Sequence, residues 1–413
     1  MSLDKFFKNT MLILLCLIPG ALVTGPFLPD LFLSIIAIYF LIISLKKSLW
    51  SYYKNIYVYL FTFFYSYLLI RSLLSENILL SLESSLFYFR YLFFSLGVWY
   101  LSADFVYLKK YLSLFIIFTL LIVAFDGYVQ WITGSDILGF QSSYSLRVSG
   151  FFNTEMIMGS YLVRLLPIGI ALFVSSFFIN KKMMILLMIF IIIIDVIIFG
   201  SGERLALFYA VLFTLFIFLL WKKFRFISFL NLTVLTITII YLGINVEASN
   251  NRMIKNLYDQ IRSTSLPFAT YSIEHEKLYI TGFKMFFDNP IFGQGPKMFR
   301  DLCNNAEFYY EDGCNTHPHN NYVQLLSETG LIGCSFLLLV FLWTTYKLFM
   351  HLLSMILPSL NKELPDSILF YLIMFFMFTI PVVPSGNFFN NWLCVIYYLP
   401  VGFMLEHYYR HKV

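Results

Sequence analysis

Residues 317–347 read HPHNNYVQLLSETGLIGCSFLLLVFLWTTYK, and this stretch decides what kind of molecule the chain makes. Its first part closes the one long hydrophilic segment, about residues 246 to 324. Its second part is an apolar run long enough to cross a hydrocarbon core of about 30 Å as helix. Working outward, runs of the same kind recur near 10–27, 29–45, 55–74, 84–102, 112–132, 156–178, 183–200, 204–221, 226–245, 366–385 and 389–407. Pro19, Gly20, Gly25, Pro26 and Pro29 interrupt the first two. With 60% hydrophobic residues, 12% charged residues and a mean hydropathy of +0.78, such a chain cannot be buried in one soluble core. The expected fold is all-α, a polytopic transmembrane bundle of about twelve spans with one large loop containing short helices. Spans one to nine fall in 1–245, the loop in 246–324 and spans ten to twelve in 325–413.

Basic residues set the expected orientation, because Lys and Arg are retained on the cytoplasmic side during insertion. Lys5, Lys8, Lys46, Lys47, Lys54, Lys109, Lys110, Lys181, Lys182, Lys222, Lys223, Arg225, Lys347, Lys362, Arg410 and Lys412 all fall on one side of a twelve-span layout. Both termini are then cytoplasmic and the long loop faces outward, with Arg71 and Arg147 the main exceptions outside it. Lys5 and Lys8 before an apolar run look like a signal peptide, but without a convincing cleavage site and with a span following at once the segment reads as an anchor. The net charge of +5 is accounted for by the basic belts, which leaves nucleic acid without support as a partner. Of five cysteines, Cys303 and Cys314 lie in the outward loop, where they either pair or remain free thiols.

Ionisable residues inside spans are costly unless they face a polar cavity, so each is a site candidate. Arg90, Asp126, Arg164 and Asp195 either serve a site or hold the bundle together, Arg90 or Arg164 pairing with Asp126 or Asp195. Arg147 and Glu155 bracket a short outer segment and Arg204 opens a span at the outer boundary, so that Arg147 and Arg204 lie at the depth where a lipid-linked diphosphate would sit. Guanidinium groups suit bidentate phosphate contact, with interfacial anchoring of Arg204 and neutralisation by Glu203 as the plainer alternative. Only six histidines occur, and the pair in His317-Pro318-His319-Asn320 stands at the end of the loop. Gly330 and Gly333 follow, which would permit close helix packing and so a firmly held base. A metal site would need Cys314 or Glu311 to join His317 and His319, and neither an HExxH motif nor a third nearby histidine occurs. Gly293-Gln294-Gly295-Pro296 reads as a turn.

The pattern His319-Asn320-x9-Gly330-x2-Gly333 resembles the signature of the O-antigen ligase and O-antigen polymerase superfamily of polytopic membrane glycosyltransferases. Asn289-Pro290-Ile291-Phe292-Gly293-Gln294-Gly295-Pro296 with Phe299, the turn Ser201-Gly202-Glu203-Arg204, and the block from Arg147 through Glu155 to Tyr161 are similar to further family segments. The resemblance implies transfer of a glycan from undecaprenyl diphosphate in an inner membrane, at its outer leaflet. The acceptor is a sugar hydroxyl of lipid A-core in the ligase branch and another lipid-linked repeat unit in the polymerase branch; the block around Arg147 leans toward ligase. It further implies inverting, metal-independent chemistry without a cofactor, in which His319 is the base and Arg204 the boundary arginine. The family's second arginine, just before the first loop helix, corresponds to His275 here, with Lys277, Arg300 or Arg147 as replacements. His317 either orients His319 or sits at the surface, and Asn320 or a backbone carbonyl fixes the tautomer. Neighbouring arginines are expected to keep His319 neutral. From a different class, a secondary carrier would share the spans, but carriers place their site near the midplane between repeated halves, and no repeat is visible.

Overall fold

A computed structural model of the chain describes residues 3–141, 147–245, 255, 258, 259 and 272–410. The opening part of the expected loop, residues 246–254, 256, 257 and 260–271, lies outside the described residues, as does Lys412. The helices in chain order are α1 (Leu3–Ala21), α2 (Phe27–Lys46), α3 (Ile56–Leu73), α4 (Ile78–Ser85), α5 (Arg90–Asp104), α6 (Leu108–Thr133), α7 (Met158–Ser176) and α8 (Lys181–Gly200). They continue as α9 (Arg204–Leu220), α10 (Arg225–Asn245), α11 (Ile273–Asp288), α12 (Met298–Leu302), α13 (Asn321–Ile356), α14 (Asp366–Phe378) and α15 (Asn391–Tyr409). Among the described residues the only β pairing is an isolated bridge between Ser135 and Gln141, so the chain is an all-α, polytopic helical bundle.

Among the described residues eight helices are long and apolar enough to cross a membrane: α1 with its following turn, α2, α3, α6, α7, α8, α10 and α13. Every expected run contains a helix, but two boundaries need correcting. The run near 84–102 is split, because α4 ends at Ser85 and α5 begins only at Arg90. Arg90 is held there by Asp30 at 3.0 Å, by Asn391 and by the ring of Tyr91. The run expected to reach residue 385 stops at Phe378, since Pro381 and Pro384 supply no backbone N–H and bias the residues before them away from helix.

The chain forms two compact units, each assembled from separated segments. One comprises Met1–Leu28, Phe105–Tyr258 and Thr344–Met377; the other comprises Pro29–Asp104, Asp259–Trp343 and Phe378–Val413. In the first unit α6 packs along α7, and Gly169 lets the Ile116 side chain approach its backbone. Asp126 accepts from the Ile137 N–H at 2.9 Å and Asp195 from the Thr214 hydroxyl at 3.2 Å. Arg164 donates to the backbone and hydroxyl oxygens of Ser160. The alternative in which Arg90 or Arg164 pairs with Asp126 or Asp195 is therefore not the one these contacts follow: the partners are Asp30 and Asn391, Ser160, the Ile137 N–H and Thr214. In the second unit α5 and α15 pack along their lengths, and Tyr91 stacks on Tyr398 with ring centres 5.0 Å apart.

Candidate active site

The two glycine motifs of the second unit turn out to be halves of one device. Gly330 does not serve as a smooth helix-packing position: its φ of 62° and ψ of −166° break α13. Such a backbone is accessible essentially to glycine alone. The freed groups are answered by the turn at Pro290–Gly295. The Gln294 N–H donates to Ser327 O at 2.9 Å, Gly295 N–H to Glu328 O at 2.7 Å, and Leu331 N–H to Pro290 O at 2.9 Å. A Cβ on Gly293 would lie 2.5 Å from the backbone of Glu328, Thr329 and Gly330, and one on Gly330 would overlap the Ile291 carbonyl. From α3, Arg71 donates twice to Gly293 O, at 2.6 and 3.0 Å, and the Tyr67 hydroxyl donates to Thr329 O at 2.6 Å. Arg71, the outlier of the basic pattern, thus caps carbonyls exposed at the turn docked into the break.

This device fixes the start of α13, where the histidine motif sits. Asn320 caps the helix: its Oδ1 accepts from Tyr322 N–H at 2.8 Å and Val323 N–H at 3.1 Å. Its Nδ2 donates to Pro381 O at 2.8 Å and Val383 O at 3.3 Å. These bonds occupy the amide, so Asn320 holds the backbone rather than the tautomer of His319. His319 itself has a φ of 54°, and its carbonyl accepts from Ser385 N–H at 2.8 Å. The 381–385 segment that ended α14 early is therefore what clamps the histidine. Gln324 extends the clamp, its Oε1 accepting from Phe388 N–H at 2.9 Å.

Three imidazoles meet here. The rings of His317 and His319 are 4.1 Å apart, and those of His275 and His319 are 5.7 Å apart and nearly perpendicular. His275 arrives on the first turn of α11, whose cap Ser272 contacts His275 Nδ1 at 2.7 Å. His317 Nδ1 contacts the Thr316 hydroxyl at 3.1 Å. Burial lowers the basicity of all three. His319 is lowered from its ordinary value by burial alone, so enclosure, rather than the expected arginines, favours the neutral form. Burial and the charge of a protonated His319 lower His275 to about 4. The same two causes, with Arg300, lower His317 to about 3.

The surrounding segment has a core of its own, formed by Leu278, Met285, Met298, Phe299, Leu302 and Phe308, with Cys303 disulfide-bonded to Cys314. Lys277 pairs with Asp312 at 2.7 Å. Arg300 is half-buried, and its Nε has no hydrogen-bond partner. Among the described residues no group of three His, Cys, Asp or Glu side chains is arranged to hold a metal ion.

The expected arginines belong to the other unit. Arg204 is the first residue of α9 and is half-buried. Arg147 donates to Met156 O at 3.1 Å and, more weakly, to Ser201 O at 3.5 Å. Glu155 is exposed. Glu203 does not neutralise its neighbour in the simple way expected, because its carboxylate turns to the start of α7, accepting from Gly159 N–H at 2.6 Å and Ser160 N–H at 3.0 Å. Burial pushes this carboxyl up to about 7 against the opposing pull of those N–H groups and of Arg147 and Arg164. The structure thus gathers His275, His317, His319 and Asn320 in one unit and Arg147 with Glu203 in the other. Sequence reading passed over the parts played by Glu203, Tyr67, Arg71 and the 381–385 segment; the two prolines after α14 were the available signal for the last.

Residues 186–338, less than half of the chain, match the family described as O-Antigen ligase. The matched region carries both glycine motifs, Arg204 and the three histidines. No curated protein matches the chain. The match supports a likeness of this region to O-antigen ligases and related membrane glycosyltransferases, and the apolar helices mark a multi-pass membrane protein.

Proposed function

We propose that this chain is a glycosyltransferase of the O-antigen ligase type, moving a glycan from undecaprenyl diphosphate to a sugar hydroxyl of lipid A-core. The site faces the periplasm of a bacterial inner membrane, and both termini are cytoplasmic. The basic-residue pattern supports that orientation, as does the Cys303–Cys314 disulfide, which suits an oxidising compartment.

The setting of His319 is the observation that carries this reading. A neutral imidazole sits on a backbone clamped by Ser385 and followed directly by the Asn320 cap, which is what a general base for a hydroxyl requires. In the proposed step the acceptor O–H bond breaks and its proton passes to His319. The new bond forms from that oxygen to the anomeric carbon as the bond from that carbon to the diphosphate oxygen breaks, with inversion and without a metal or cofactor. Arg204 and Arg147 hold the leaving diphosphate and offset its developing charge. Glu155, His275, Lys277 and Arg300 contribute polar contacts to the glycan substrates; Asn320 acts through the backbone it fixes.

The test is transfer by His319→Ala and Arg204→Ala variants that insert and accumulate normally. Both lose glycan transfer, and wild-type activity in a folded His319→Ala protein would refute the base assignment. Surface-polysaccharide gels from a deletion strain separate the two branches. Loss of all long chains on lipid A-core marks a ligase, and a ladder collapsed to one repeat marks the polymerase alternative.

A further inference from the structure

His317 is 9% exposed, yet its Nε2 has no hydrogen-bond partner. Arg300, whose charge acts on His317, has an Nε that is equally buried and equally unanswered. Leaving such groups dry and unpaired costs about 1–3 kcal/mol apiece, so a buried pair of them points to something absent from the free protein. The chemistry of the pair narrows what that is. Arg300 Nε is only a donor. With Nδ1 engaged at the Thr316 hydroxyl, a neutral His317 can present Nε2 as an acceptor, and the Arg300 charge that depresses its basicity favours that neutral ring. An acceptor and a donor within electrostatic reach of each other match a group that both gives and takes a hydrogen bond. Arg300 also acts electrostatically on Glu83 and Glu328, so its charge is already opposed without an added anion.

We propose that His317 Nε2 and Arg300 Nε form a sugar-hydroxyl subsite that seats the acceptor glycan with a neighbouring hydroxyl against His319, whose ring lies 4.1 Å from that of His317. This deepens the transferase reading and rests on it: the histidine that takes the proton and the histidine that orients the acceptor are different residues. His317 is a specificity-determining contact, and its Nδ1 rests on the Thr316 hydroxyl.

The experiment measures binding of methyl glycosides of glucose, galactose and heptose, and separately of inorganic pyrophosphate, to the purified full chain in nanodiscs by calorimetry. At least one glycoside binds the wild type. His317→Phe and Arg300→Gln weaken it about fivefold or more, as expected for a lost hydrogen bond, and His317→Gln recovers part of the loss by restoring a polar atom. Pyrophosphate binding is unchanged by all three. The proposal is overturned if the variants bind glycoside like the wild type, if no glycoside binds the wild type, or if pyrophosphate alone is lost, which would make the pair an anion site. A His319→Ala control separates the two readings. Retained glycoside binding with abolished transfer upholds the base and tests the subsite independently, whereas retained transfer sinks the base whatever the glycosides do.

Discussion

The histidine region of one unit and the arginine region of the other handle burial in opposite ways. Around His319 the imidazoles are kept uncharged and partly unanswered: His275 and His317 both face His319, and one buried imidazole nitrogen lacks a partner. Around Glu203 the charged groups are packed against backbone and one another, with the carboxylate on Gly159 and Ser160 and Arg147 on Met156. The first arrangement leaves capacity for a ligand and a proton; the second fixes helix α7 and a guanidinium in place. A base must change its protonation state during the reaction, while a phosphate-holding arginine must not, and the two environments differ along that line.

The largest effect should come from the frame under the histidines. Ala at Gly330 would occupy a glycine-only conformation and collide with Ile291, and Ala at Gly293 would collide with the backbone of Glu328 to Gly330. Conformational strain alone is about 1–3 kcal/mol. Either variant is expected to accumulate poorly and lose its cooperative melt, while Gly20→Ala, with nothing near its Cβ, behaves as wild type. Normal melting of Gly330→Ala would show that the break is not what holds the region. Next, the Cys303–Cys314 bridge closes a separation of 11 residues. Its removal by Cys→Ser at both positions should cost about 2–3 kcal/mol, read as a lowered melting temperature under non-reducing conditions with no change in the arginine region.

The pH response separates the regions more finely. Burial holds His275 and His317 at about 4 and about 3, below their ordinary value of 6.5. The unfolded chain therefore binds more protons than the native one below pH 6.5. Their contribution to stability is full above pH 6.5 and is lost as pH falls toward those lower values. His319 is shifted the same way, so the acid limb of the transfer rate should lie below pH 6.5. An acid limb above 6.5 would mean that the imidazole is stabilised as a cation and would count against it as the base.

Legibility in the sequence divided along similar physical lines. The helices could be read because apolar runs have few alternatives to crossing a membrane, and His319 stood out because its motif joins a loop to a span. What could not be read were long-range backbone contacts. Gly293 and Gly330 each look like an ordinary turn or packing glycine until the Leu331-to-Pro290 and Gln294-to-Ser327 bonds show that one fills the break made by the other. The partners of Arg90 and Asp195 were missed for the same reason: a charge in a span announces that it needs a partner, and only the fold says whether that is Asp30, Thr214 or a backbone N–H.

The smallest expected effect is the one that tests the contrast most directly. Glu203 has its carboxyl pushed up to about 7, above the ordinary 4.5, so between those values the native state binds more protons than the unfolded chain. Its contribution is then fully present below pH 4.5 and is lost as pH rises through about 7, opposite in sign to that of the histidines. Glu203→Gln keeps an oxygen for one of the Gly159 and Ser160 N–H groups and removes the titration. The difference in melting temperature between wild type and variant should therefore drift against the wild type from pH 5 to pH 8. A drift toward the wild type would mean that Arg147 and Arg164 outweigh burial and that Glu203 is ionised in an ion-pair network. In that case the arginine region would be poised by charge rather than by enclosure, and the neighbouring guanidiniums would already be committed to it before any diphosphate arrived.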